Sequence, residues 1–185
     1  MHYLHKILVH IPTAIDTKTV ATKEEILNEI ISYARSETEC FYPKVFDWRE
    51  DDAGGWSDTY PQQAYIASDD LEWFMNELHE VQEMQREELD YYLNRLQEVA
   101  DGDLAVLSDK LWNRESFSKD FDKNYPLNMT AYYLLSLAQH LHGDYRCDSH
   151  FYNTYSFTAH LYMSDLEEIR RNPSEWALVM FDYHN

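Results

Sequence analysis

The segment EWALVMFDY, residues 175–183, constrains the fold most, because an extended chain with this sequence is apolar on both faces. A strand of that kind is covered from both sides, so it belongs in the centre of a sheet. Residues 3–11, YLHKILVHI, alternate instead and predict a first strand with one apolar face. That face carries Tyr3, Ile7, Val9 and Ile11. The two ends of the sequence therefore predict one shared sheet.

The residues between these strands are mostly helical in pattern. Residues 22–35 open with a capping box, Thr22 and Glu25, and predict a helix. Residues 69–99, with Ser68 or Asp69 as the cap, form the longest helical pattern. Further elements predicted are short strands near 43–48 and 62–67, helices over 103–114 and over 129–143 ending at Gly143, a strand over 150–163 and a short helix capped by Ser164 and Glu167.

This order predicts an α+β fold: a small sheet formed by N-terminal and C-terminal strands, packed on a helical middle section with one long acidic helix. A length of 185 residues favours a single domain, 1–185, in which residues 47–103 could form a lobe. Two distant cysteines, Cys40 and Cys147, make a disulfide framework improbable. The N-terminal apolar run is too short for a membrane segment, so we expect a cytoplasmic protein.

The negative charge is concentrated in one segment. The net charge is −19, and residues 47–103 contain 17 acidic but only three basic residues, a net charge of −14. Such a field repels nucleic acids and anionic membranes and attracts basic proteins over a Debye length of about 8–10 Å. We therefore expect neither direct nucleic-acid binding nor membrane binding.

Within the long helix, carboxylates share one predicted face. Glu80, Glu83, Glu87 and Asp90 are spaced by three, four and three residues, and Glu72 precedes them. At about 1.5 Å rise per residue, one carboxylate occurs per roughly 5 Å of axis, against 3.4 Å between phosphates of a DNA strand. The alternative is an ordinary solvated helix face. The apolar stripe of this helix has a gap from Val81 to Leu89, which marks a slip or a break between two helices.

The stretch DWREDDAGGWSD, residues 47–58, adds five acidic residues, including Glu50, Asp51 and Asp52, to two glycines. No frame of this stretch fits an EF-hand, which needs oxygen ligands at positions 1, 3 and 5, Gly at 6 and Glu at 12. A catalytic carboxylate pair is a second alternative. Trp48 and Trp56 favour a third alternative, a surface that contacts a protein partner, because tryptophan is a common anchor of protein interfaces.

Residues 140–150, HLHGDYRCDSH, contain the ligand types that zinc prefers, but their spacing matches no standard motif. His142, Cys147 and His150 are therefore weak candidates as metal ligands, and His140 and His142 diverge by about 200° on a helix. We expect no cofactor. A metal-dependent hydrolase that uses this cluster stays open as an alternative function.

These observations predict a binding protein rather than an enzyme. The expected partner is a basic nucleic-acid-binding protein such as a nuclease, which the chain would inhibit as a DNA or RNA mimic of the anti-CRISPR or antirestriction type. An immunity protein against a nuclease toxin is a related alternative. The expected contact residues are Glu50, Asp51, Asp52, Glu72, Glu80, Glu83, Glu87, Asp90, Trp48 and Trp56.

Overall fold

The computed structural model describes residues 2–15, 22–50, 52–99 and 121–185. Asp51 and the helix predicted over 103–114 lie outside these ranges. The chain forms two compact units. The first comprises Met1–Glu83 and Tyr145–Asn185, and the second comprises Met84–Asp144. Residues 47–103, predicted as a possible lobe, are divided between the two units.

Within the described ranges, five strands form one mixed sheet in the order β2-β5-β1-β4, with β3 also paired to β5. The strands are β1 (His2–His10), β2 (Trp48–Arg49), β3 (Ala64–Ile66), β4 (Phe151–Asn153) and β5 (Trp176–His184). β5 pairs antiparallel with β1 along its whole length, and β1 pairs parallel with β4. The α+β prediction, with a sheet formed by both ends of the sequence, is confirmed.

The helices are α1 (Ile11–Ala14), α2 (Lys23–Glu39), α3 (Leu71–Val99), α4 (Phe121–His142) and α5 (Met163–Arg171). The predicted capping box of α2 is confirmed, because the Glu25 N–H donates to Thr22 Oγ1 and the Thr22 N–H donates to Glu25 Oε2. α4 ends at Gly143 as predicted, with φ at +77°. There the Gly143 N–H donates to the His140 carbonyl and the Asp144 N–H to the Gln139 carbonyl, a Schellman motif.

Two predicted caps are wrong. α3 is capped by Asp70 rather than Ser68 or Asp69, since the Trp73 N–H donates to Asp70 Oδ1 at 3.0 Å. α5 begins after Tyr162, whose N–H donates to Asp165 Oδ2 at 3.0 Å. For α3 the sequence offers neighbouring polar residues, and Asp70 is the one whose side chain reaches a free N–H group. At α5 the Asp165 side chain instead accepts the N–H of the residue that precedes the helix.

The strand predicted over 150–163 is also wrong in extent, because β4 ends at Asn153. The Asn153 side-chain oxygen accepts the N–H groups of Tyr155 and Ser156, which turns the chain away from the sheet. A buried asparagine that bonds the backbone just ahead of it favours a turn over an extended strand.

The sheet of the first unit is covered on both faces. One face of β1 and β5, including Ile7, Val9 and Phe181, packs with Ile30 and Ala34 of α2. The opposite face, with Leu8, Leu178 and Met180, packs against α3 and α5. The helix residues in this core are Phe74, Leu78, Val81, Leu166 and Ile169. Burying one side chain of this size contributes about 1.5–3 kcal/mol. These two cores explain why β5 is apolar on both faces.

The second unit has its own small core, in which Tyr92 and Leu96 of α3 pack with Tyr133 of α4. α3 is one continuous helix, so the gap in its apolar stripe is not a break between helices. The gap from Val81 to Leu89 contains the division between the units after Glu83. The stripe therefore slips where the helix leaves one core and enters another.

Candidate interaction surface

The carboxylates predicted on α3 are exposed in both units. Glu72, Glu80 and Glu83 belong to the first unit, and Glu87 and Asp90 to the second. Within the described part of the chain, no cation lies within 4.0 Å of the Glu83, Glu87 or Asp90 carboxylate. Arg86, the one Lys or Arg between positions 71 and 90, is exposed and makes no ion pair within 4.0 Å among the described residues either.

Glu80 differs from the other carboxylates, because its Oε2 lies 3.1 Å from Lys6 Nζ. Lys6 projects from β1 toward α3, and only 5% of its side chain is exposed. Its ammonium also lies 2.6 Å from Glu77 Oε2, and the Tyr60 hydroxyl donates to the same oxygen at 2.9 Å. Glu80 is therefore partly neutralised, which the helix pattern alone did not predict.

Burial, with a contribution from the neighbouring Glu77 carboxylate, raises the pKa of Tyr60 well above its ordinary value. Its phenol therefore stays protonated and acts as a donor at neutral pH. Lys6, Glu77 and Tyr60 form a buried charged network that holds the first half of α3 against the sheet. The only sequence signal for it was a lysine within an apolar strand, because its partner lies 71 residues later.

The loop over residues 47–58 is anchored to the end of β5. Gly54 has φ at +54°, and a Cβ added there would lie 2.2 Å from Asp182 Oδ2 and 2.6 Å from its Cβ. The Gly55 N–H donates to Asp182 Oδ2 at 2.9 Å, and His2 Nδ1 lies 3.0 Å from the other oxygen. Gly54 therefore permits a close approach to a buried carboxylate, and Gly55 contributes its backbone N–H to the same group.

The acidic residues of this loop have separate environments. Asp52 is exposed and accepts the Gly54 N–H at 2.6 Å, and Glu50 is partly buried. The guanidinium of Arg49 stacks over Phe46 and Phe181 and bonds Glu39. Because this cation is engaged with the core, it does not neutralise the exposed carboxylates of the loop.

Both tryptophans predicted as anchors are exposed. Trp48 lies beside the rings of His2 and His184, each with a centroid separation of 6.4 Å. The His184 ring is held by Asp47 at 2.8 Å. Trp56 ends the 3₁₀ turn Gly54–Trp56. Exposed tryptophans on hydrogen-bonded supports are suited to contact a partner.

The histidine and cysteine candidates belong to different units. His142 belongs to the second unit, where it bonds Asp144, while Cys147 and His150 belong to the first. Burial, and then the Asp148 carboxylate, raise the pKa of the Cys147 thiol, which lowers its nucleophilicity at neutral pH. Across the ranges that the structure describes, no three His, Cys, Asp or Glu side chains are placed to hold a metal ion.

We found no family model, curated protein or solved structure that matches the chain. Among the described helices, none has the length and hydropathy needed to cross a membrane.

Proposed function

We propose that this chain binds a basic nucleic-acid-binding protein, such as a nuclease, and blocks it by occupying the groove that holds DNA or RNA. The supporting observation is the set of exposed carboxylates on α3, at Glu83, Glu87 and Asp90, that have no cation within 4.0 Å among the described residues. Inhibitors of the anti-CRISPR or antirestriction type act in this way, and an immunity protein would use the same chemistry.

The nearby cations support the proposal by their positions. Lys6 is buried against Glu77 and Glu80, and Arg49 is engaged by Glu39 and two phenylalanine rings. These two cations are thus engaged by partners within the first unit and do not neutralise the exposed carboxylates of α3. A surface of one sign steers an oppositely charged partner and accelerates association.

The charge-reversal variant Glu83→Lys/Glu87→Lys tests the proposal. Proteins that the wild-type chain captures from a lysate should bind nucleic acid, should elute as salt rises and should be displaced by the DNA or RNA that they bind. The variant should bind the same purified partner at least roughly 30-fold more weakly, because both attractive charges become repulsive. Affinity is measured by titration calorimetry at two salt concentrations.

The matched control is Glu24→Lys/Glu29→Lys, which makes the same change in net charge on α2, where both side chains are exposed. This control should bind nearly as tightly as the wild type. Equal weakening by both double variants would show that net charge alone matters. Unchanged binding by Glu83→Lys/Glu87→Lys, or a partner that neither DNA nor RNA displaces, would refute the proposed function.

A further inference from the structure

The turn after β4 presents a phenylalanine in an unfavourable backbone conformation. Phe157 has φ at +55°, the left-handed region that bulky residues rarely adopt, yet 69% of the residue is exposed. The ring therefore gains little burial in exchange for the strained backbone. Strain of this kind persists where the surroundings enforce it, and it is concentrated at functional sites.

Phe157 is one of four exposed apolar side chains within residues 155–163, namely Tyr155, Phe157, Tyr162 and Met163, which we call the apolar patch. The patch comes from two segments that a buried pair connects. Asn153, which is fully buried, accepts N–H groups from the turn and donates to Asp165 Oδ2 at 3.4 Å. The same Asp165 oxygen accepts the Tyr162 N–H at the start of α5. These hydrogen bonds join the two segments before any partner binds, which lowers the entropy cost of ordering them on binding.

The apolar patch adjoins the acidic helix within the first unit. Gln82 Nε2 of α3 lies 3.4 Å from Met163 Sδ, and the exposed Glu83 follows Gln82 directly. A ligand that covers Met163 and extends along α3 can therefore reach a carboxylate that has no cation within 4.0 Å among the described residues. Apolar anchors beside negative charge are complementary to a segment that carries apolar and basic side chains together.

We infer that the apolar patch is the anchoring half of the partner interface and takes a basic amphipathic segment of the partner. The inference rests on the proposed function and adds where the partner's apolar side chains dock. Its lysines or arginines would meet Glu83, and their stems or guanidinium groups would stack on Tyr162 and Phe157. Trp48 and Trp56 would then be secondary contacts.

Two labelled peptides test this inference by fluorescence anisotropy. One is an amphipathic Lys–Leu peptide, and the other keeps every lysine but has serine in place of each leucine. Tyr162→Ser/Met163→Ser should weaken binding of the Lys–Leu peptide roughly tenfold or more and leave the Lys–Ser peptide unchanged. Serine suits the N-cap position of Tyr162, so the helix should be retained. Tyr42→Ser, at an equally exposed tyrosine elsewhere in the first unit, is the matched control and should change neither peptide.

A second variant separates binding from folding. Phe157→Gly should raise the thermal midpoint by relieving the backbone strain, and should weaken the Lys–Leu peptide only. Wild-type affinity of both patch variants for the Lys–Leu peptide would overturn the inference, while the charge-reversal variant still decides the proposed function separately. A wild-type dimer that Tyr162→Ser/Met163→Ser converts to a monomer would also overturn it, by making the patch a self-association surface.

Discussion

Replacing Lys6 with methionine should destabilise the protein by about 3–5 kcal/mol, measured by urea unfolding at pH 7. The substitution leaves Glu77 as a buried carboxylate, with the Tyr60 hydroxyl as its remaining partner among those described above. Desolvating a charge without a counterion costs several kcal/mol, which no surrounding apolar contact repays.

The double variant Lys6→Met/Glu77→Leu should recover most of that loss, because neither charge stays buried. About 1 kcal/mol should remain lost, since Tyr60 then lacks its acceptor. Lys23→Met is the control, because the Lys23 ammonium pairs with Asp69 at 2.8 Å while 60% of its side chain is exposed. An exposed pair contributes about 0–1 kcal/mol. Similar destabilisation by Lys6→Met and Lys23→Met would contradict the described network.

Acidification should destabilise the protein through His5, by about 2–3 kcal/mol between pH 7 and pH 4.5. Complete burial, followed by the charge of His150, lowers the pKa of His5 to about 3, against 6.5 for a free histidine. Between those values the unfolded chain binds a proton and the folded chain does not. Stability from this residue is therefore present above about pH 6.5 and is lost as the pH falls toward 3.

The hydrogen bonds of His5 explain why its neutral form fits. Its Nε2 lies 3.1 Å from the Cys147 carbonyl, which can only accept, so Nε2 carries the proton. Nδ1 then accepts from the Tyr145 hydroxyl at 2.7 Å. Protonating Nδ1 would remove that acceptor in a site without solvent.

Unfolding free energies of wild type, His5→Gln and a control, His79→Gln, should be compared from pH 7 to pH 4.5. His79 is exposed on α3, so its replacement should leave the wild-type pH dependence intact. His5→Gln should be less stable at pH 7 but should lose about 2–3 kcal/mol less on acidification. Parallel curves for all three proteins would show that His5 takes up a proton in the folded state.

Sequence patterns predicted the features that depend on neighbouring residues or on simple periodicity. Examples are the face of β1 that carries Ile7 and Val9, the two apolar faces of β5, the capping box at Thr22 and the helix end at Gly143. Lys6 and Glu77 were missed because their pairing joins distant segments, and the sequence shows each only as a charge. The apolar patch was missed for a related reason, since Asn153 and Asp165 join two segments that periodicity treats separately.

For the candidate surface, the sequence predicted that the carboxylates of α3 are exposed, but not which residues form ion pairs or hydrogen bonds with other segments. Periodicity placed the carboxylates of α3 on the exposed face, and they are exposed. It could not show that Glu80 bonds a lysine from β1, because helix spacing contains no information about a neighbouring strand. Nor could it show that Gly54 lies against Asp182, which is more than 120 residues away.

The position of β5 in the sequence has a consequence for synthesis of the protein on the ribosome. β1 is complete at His10, but the strand that pairs with its whole length begins only at Trp176. At roughly 5–20 residues per second, β1 waits on the order of ten seconds or more for that partner. During translation its unpaired edge and apolar side chains are open to other chains. Slow or stalled synthesis should therefore cause more aggregation of this protein than of one whose sheet is built from strands adjacent in sequence.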